Sequence, residues 1–291
     1  MEWVLFTLGA VVLQTLRNAL QSKLSAHVDT SGVTLSRFVL APPVALVYLL
    51  SLNSAQPQTS PTFSYDFVAV VVCASLLQIA ATAFMITLFK QRNFAIGAGL
   101  AKSEALVAGV LGMLFFGSYL TLLGWAGILV GAVAVYLLST PMGIKALNSK
   151  TLLIGLACGS CFALTSLLVR EASHMLNVPH SHGAAWVLLW VLCIQSLTLC
   201  SYIGVTKPQV FRQLLNAKKQ VALISTISCL GSVCWFTAMA LQHVALVKTL
   251  GQLEVLLTLI LAHFWFKNTV SKKEIIGLLL ISVAAVMVMW A

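Results

Sequence analysis

Long apolar runs separated by short polar breaks fill the chain from one end to the other. About 20 apolar residues let an α-helix cross the hydrocarbon core of a bilayer. Read run by run, the pattern predicts ten such helices, over Trp3–Ser22, Gly32–Leu52, Tyr65–Phe89, Phe94–Phe116, Leu120–Thr140, Thr151–Val169, Gly183–Val205, Gln220–Gln242, Ala245–Phe266 and Glu274–Trp290. The runs are continuous, unlike the alternating ~10-residue strands of a membrane β-barrel. The longest polar connections are Asn53–Ser64, with Pro57 and Pro61, and Lys207–Lys219, and neither could form a soluble domain. Met1-Glu2-Trp3 lacks the basic start of a signal peptide, so the first run is expected to stay as a helix. The expected fold class is an all-α integral membrane protein with ten transmembrane helices.

The stretch Thr140–Lys150 divides five predicted spans from five. Laid without a gap over residues 250–287, residues 100–137 match at Leu100/Leu250, Glu104/Glu254, Leu106/Leu256, Leu111/Leu261, Phe116/Phe266, Gly127/Gly277, Leu129/Leu279, Val133/Val283 and Ala134/Ala284. The glutamate pair is the sharpest part of this match, because the chain has only 7 acidic residues. The reading is two five-helix repeats, over residues 1–140 and 151–291, joined by a linker at 141–150. Five spans per copy insert the second copy upside down, the inverted-repeat plan of many secondary transporters.

Composition agrees with the spans. Apolar residues make up 60% of the chain and charged residues 8%, with a mean hydropathy of +0.99, whereas soluble domains carry about 25% charge. The formal charge of +10 does not imply nucleic acid, because no polar domain could gather it on one face. It orients the chain instead. Lys23, Lys90, Arg92, Lys145, Lys150, Lys207, Arg212, Lys218, Lys219, Lys267, Lys272 and Lys273 fall on one side of the ten spans, against Arg170 and Lys248 on the other. By the positive-inside rule, both termini are expected outside the cytoplasm. Most of the seven cysteines lie within spans, and the Cys158/Cys161 pair sits in an apolar run that suits packing better than redox or metal chemistry.

Ionisable groups inside spans are costly and tend to face a bundle interior or a wet cavity. Here they are Arg17, Arg37, Lys102, Glu104, Lys248 and Glu254. At 1.5 Å per residue the two glutamates fall near the midplane. Lys102 and Glu104, two residues apart, point in different directions, whereas Lys248 and Gln252 share a helix face. Glu104, Glu254, Lys102, Lys248 and Gln252 are the first candidates for binding or coupling. A buried ion-pair network joining the halves is the alternative reading. Arg17 and Arg37 lie nearer span ends, where they could snorkel, and are weaker candidates. Four basic groups against two acidic ones leave the expected cavity positive, favouring a solute with a negative group such as a carboxylate.

Gln78, Gln195, Ser228, Ser232 and Trp235 could touch a solute or simply join helices. Pro42-Pro43 should bend or unwind the second span. Gly127/Gly131 and Gly155/Gly159 allow close helix contact, internal or in a homodimer. His174, His180 and His182 read as solvated loop residues. There is no phosphate-binding GxxxxGK[ST] loop, HExxH or GxSxG motif, so neither an enzyme nor a nucleotide-driven pump is expected. No cofactor or metal is expected either.

The ten spans in two halves, with the runs LAKSEALVAGVLGMLFFG and LGQLEVLLTLILAHFWF, resemble the drug/metabolite transporter superfamily, in its EamA-like branch. The resemblance implies a ten-helix bundle around a central cavity lined by helices 1, 3, 4, 6, 8 and 9. It also implies a secondary transporter, often an exporter of amino acids, related metabolites or toxic compounds. The acidic turn that family members often carry after helices 4 and 9 is missing at Gly117-Ser118 and Lys267-Asn268. Family members generally have cytoplasmic termini, the reverse of the loop-charge reading here. Together these readings describe an inner (plasma) membrane transporter of a small metabolite, an amino acid or related solute, working by alternating access with a proton or counter-solute. Proton-coupled efflux of lipophilic cations and a non-transporting membrane subunit are the alternatives.

Overall fold

The computed structural model describes residues 2–91, 100, 101, 104, 107, 121–139, 149–267 and 271–290. All regular structure in the described residues is helical: α1 (Glu2–Leu24), α2 (Thr30–Ser36), α3 (Ala41–Ala55), α4 (Tyr65–Gln91), α5 (Leu122–Ser139), α6 (Ser149–Met175), α7 (His180–Thr206), α8 (Gln209–Asn216), α9 (Lys218–Leu241), α10 (Val244–Leu250), α11 (Leu253–Phe264) and α12 (Lys272–Met289). Among the described residues six units are long and apolar enough to cross a membrane: α1, α2 with α3, α4, α6, α7 and α9. Shorter apolar helices lie within α5, α11 and α12. Most of the expected fourth span lies outside the described residues, as does most of the expected linker at 141–150, whose last two residues begin α6.

The second span is broken. α2 is capped at its start by Asp29, whose carboxylate accepts from Ser31 N at 2.9 Å. It ends at Ser36, and after four intervening residues α3 begins with prolines in its first turn. Proline has no N–H to bond backwards and its ring meets the carbonyl four residues earlier, so a helix can start there but not run through. Side chains satisfy the interrupted backbone: Ser225 Oγ accepts from Leu40 N at 3.0 Å, and Ser196 Oγ donates to Phe38 O at 2.9 Å. The doubled proline therefore unwinds the span, as its sequence foretold.

The expected ninth span is also broken, between α10 and α11, where a continuous helix was expected. Gly251 stands at this break. A Cβ on Gly251 would lie 2.8 Å from Trp235 Cη2 and 3.2 Å from Lys248 O. Only a residue without a side chain lets the indole lie against the turn. The segment Lys207–Lys219, expected as a polar loop, contains α8, which buries Val210 and Leu214 against α2. Its length of eight residues puts it below any spanning run.

The most extensive helix contacts are α4 with α6, α5 with α12, and α1 with α9. Gly155 and Gly159 are buried on α6, and Gly127 and Gly131 on α5. At Gly155 an added Cβ would approach Leu100 Cβ to 3.0 Å. At one end of the bundle Phe63, Phe67, Trp186 and Trp190 form an aromatic cluster with centroids 5.2–6.1 Å apart.

Candidate functional site

A polar stripe runs along α1 at Gln14, Arg17, Asn18 and Gln21, the three- and four-residue spacing of one helix face. It faces inward: Arg17, Asn18 and Gln21 are all buried. A transmembrane helix with such a stripe must find polar partners across the bundle, because lipid offers none. α11 supplies one. Glu254 Oε2 accepts from Gln14 Nε2 at 2.6 Å, and its Oε1 accepts from Asn18 Nδ2 at 3.0 Å. Asn18 Oδ1 in turn accepts from Arg17 Nε and Nη2, at 3.2 and 2.8 Å. Asn18 thus stands between a cation and an anion, bonded to both.

The network continues through Trp235 of α9, whose Nε1 donates to Gln14 Oε1 at 2.8 Å. The Lys248 ammonium lies 4.7 Å over the same indole and bonds Glu104 Oε1 at 3.2 Å. The helix break explains this placement. Lys248 lies at the C-terminal end of α10, where the helix dipole favours a cation, and Glu254 in the first turn of α11, where it favours an anion. Half-helix ends at membrane depth recur at transporter binding sites.

These groups line one cavity, of about 620 Å³ including its mouth. Among the described residues its polar lining is Gln14, Arg17, Asn18, Arg37, Gln78, Glu104, Thr165, Ser166, Ser232, Lys248 and Glu254, and Met85, Ala101, Phe162, Val169, Trp235, Phe236 and Met239 line it too. A second cavity, at the bundle end between α3 and α7, is largely apolar, and its His182 Nε2 bonds Gln56 O at 3.0 Å. His182 is 1% exposed, not the solvated loop residue expected; it sits in α7, which starts earlier than the apolar run indicates.

Of the sequence candidates, Glu104, Glu254, Lys248, Arg17, Arg37, Gln78 and Trp235 meet in the first cavity. Lys102 lies outside the described residues. Gln252 is buried beside the break, its Nε2 3.4 Å from Lys248 O, and does not line the cavity. Gln195 donates to Gln78 Oε1 at 2.7 Å and joins helices. Arg17 and Arg37 do not snorkel: they are 2% and 4% exposed and point into the cavity. Distance from a span end sets depth, and the inward face of the helix overrides it. Gln14 and Asn18 were missed, although the stripe on α1 was there to be read. Among the described residues no three His, Cys, Asp or Glu side chains gather as a metal site.

Residues 149–290 match the model of the EamA-like transporter family. The match covers α6 to α12. The matched residues contribute Lys248, Glu254 and Trp235 to the cavity, and the residues before them contribute Gln14, Arg17, Asn18, Arg37 and Glu104. A solved structure, titled only as the crystal structure of a protein, is 18% identical, with 98% of this chain and 96% of that chain covered and a TM-score of 0.64. At that identity the likeness is one of fold. No curated protein matches the chain. The protein is accordingly a multi-pass membrane protein whose described regular structure is all helical, with residues 149–290 similar to a transporter family.

Proposed function

We propose that this protein is a secondary transporter that exports a small metabolite, an amino acid or related solute, by alternating access across the inner (plasma) membrane. One observation carries the reading: each cavity glutamate is bonded to the opposite half. Glu104, from the first half, holds Lys248 of the second, and Glu254, from the second, holds Gln14 and Asn18 of the first. Bonds that cross a moving interface must be exchanged when the halves rock. A solute or proton that takes over one partner would drive that exchange.

The ten-helix, two-repeat plan supports the reading. Numbering the spans along the chain, α1 is the first, α4 the third, α6 the sixth and α9 the eighth. Exchanging the halves swaps the α1–α9 contact with the α6–α4 contact, and maps α5–α12 and α3–α7 onto themselves. Pseudo-two-fold symmetry demands this pairing. Residues 1–140 and 151–291 would be the two inverted copies. The loop charges place both termini outside the cytoplasm, and a C-terminal reporter active only in the cytoplasm should stay silent.

The test is metabolite profiling of cells with and without the protein, followed by flux in proteoliposomes. Glu104→Gln leaves Lys248 without its anion, and Glu254→Gln discharges the acceptor shared by Gln14 and Asn18. Each variant should fold and lose at least about tenfold in flux, the scale of one charge-assisted hydrogen bond. The pH dependence of flux should flatten in at least one of them. Unchanged flux and pH profile in both would sink the coupling role.

A further inference from the structure

The geometry points to Arg17 and Arg37 as the anion-binding subsite of the central cavity, taking the carboxylate of a small monoanionic solute whose body is apolar. That this solute is cargo rests on the transporter reading above; the subsite itself rests on how the two guanidiniums are partnered.

Both arginines are buried, and both line the cavity. Arg37 sits immediately after α2, at the break that the prolines enforce. Its Nη1 donates to Thr82 Oγ1 at 2.7 Å, and its Nε is buried with no partner. Thr82 passes its own hydrogen to Gln78 O at 2.8 Å, so it offers Arg37 a neutral oxygen only. Arg17 gives Nε and Nη2 to one neutral oxygen, that of Asn18. The cavity's glutamates are engaged elsewhere, Glu104 with Lys248 and Glu254 with Gln14 and Asn18. Among the described residues, no ion pair is formed by either guanidinium.

A buried charge without a counter-charge is expensive. Arg17 lies within the field of Glu254 and Glu104, whereas Arg37 meets the like charge of Arg17 and no described carboxylate, so the missing charge is the one a ligand would bring to Arg37 beside Arg17. The described lining carries three cations, Arg17, Arg37 and Lys248, and two anions, Glu104 and Glu254. One monoanion balances it. A guanidinium fork matches a carboxylate through two parallel hydrogen bonds. Phe162, Phe236 and Met239 in the same lining suit an apolar body.

The test uses purified full-length protein and four probes: isocaproate, its amide, isoamylamine and inorganic phosphate. Isocaproate should raise the thermal unfolding midpoint in a saturable way, while the near-isosteric amide and the amine should not, and phosphate should compete poorly. Arg37→Gln should weaken isocaproate binding about tenfold to a hundredfold, the range for a hydrogen bond to a charged group. Arg37→Lys, which restores the charge without the fork, should fall between. The acid/amide comparison on the unmutated protein needs no variant to fold. The subsite is overturned if the amide or amine stabilises as well as the acid, if phosphate is the better ligand, if no probe stabilises, or if Arg37→Gln binds isocaproate unchanged. Acid-selective binding without flux of any metabolite would refute the transporter reading and leave the subsite standing. Flux without acid selectivity would do the reverse.

Discussion

Asn18 decides how the cavity's charges are arranged. It bonds Arg17 through its oxygen and Glu254 through its nitrogen, so it keeps cation and anion linked without letting them pair directly. Replacing it with leucine, of similar volume, removes the oxygen that accepts two bonds from Arg17 in a buried site. Losing a buried hydrogen-bond partner costs about 1–3 kcal/mol, more next to charge. Asn18→Leu should therefore lower the thermal unfolding midpoint of purified protein, and Asn18→Gln should recover part of the loss; an unchanged midpoint would show that the bridge is dispensable. At this scale the sequence was legible where a residue type was rare. Two glutamates at matching repeat positions stand out among 7 acidic residues. Arg17 and Arg37 were misjudged because counting residues from a span end gives depth, whereas their burial depends on which way the helix face turns. The stripe of Gln14, Arg17 and Asn18 carried that second piece of information.

The helix breaks are the elements that position the site. Pro42-Pro43 was readable because proline forbids a through-running helix by covalent geometry. The break at Gly251 was not, because one glycine in an apolar helix is usually tolerated. Its cause is tertiary: the Trp235 ring occupies the space a side chain would need. Gly251→Ala would push a Cβ to 2.8 Å from Trp235 Cη2. The indole would have to move, and it anchors Gln14 by hydrogen bond and Lys248 by its ring face. Overpacking of this kind costs about 1–3 kcal/mol. The expected outcome is a lowered unfolding midpoint together with a change in Trp235 fluorescence, and a variant with both unaltered would refute this account of the break. α8 escaped notice for a different reason, since an eight-residue helix with two buried apolar side chains looks like a loop in a search for 20-residue runs.

Across the whole molecule, each end of the bundle is tied by basic side chains. At one end Arg170 Nη1 donates to Met239 O and Gln242 O, both at 2.6 Å, tying α6 to the end of α9. At the other, Lys90 Nζ donates to Val28 O at 3.0 Å and Lys207 pairs with Asp29 at 3.1 Å. Gln213, on α8, accepts from Asp29 N at 3.0 Å, so Asp29 ties the α1–α2 turn to α7 and α8. In an alternating-access protein, ties at opposite ends should open in turn, and loosening one should favour opening on its own side. Asp29 allows this to be tested by pH. Burial alone would raise its carboxyl, but the Ser31 hydroxyl and N–H and the Lys207 ammonium outweigh burial and hold it at about 2, below the ordinary 3.8. A depressed carboxyl contributes stability that is fully present above the unfolded value and is lost as pH falls through the folded one. The tie's contribution to stability is thus whole at neutral pH and down to about pH 4, and is lost between there and about pH 2. The pair is partly exposed, so its contribution is at most about 1 kcal/mol. Asp29→Asn should speed amide exchange in Thr30–Ser36 and Gln209–Asn216 at neutral pH and leave the α9 end near Met239 unaffected. The gap in unfolding midpoint between wild type and Asp29→Asn should stay constant from pH 7 to about pH 4 and close below it. A gap that closed near pH 6 would assign the tie to a group other than this carboxylate, and faster exchange at both ends would mean that the two ties do not open separately.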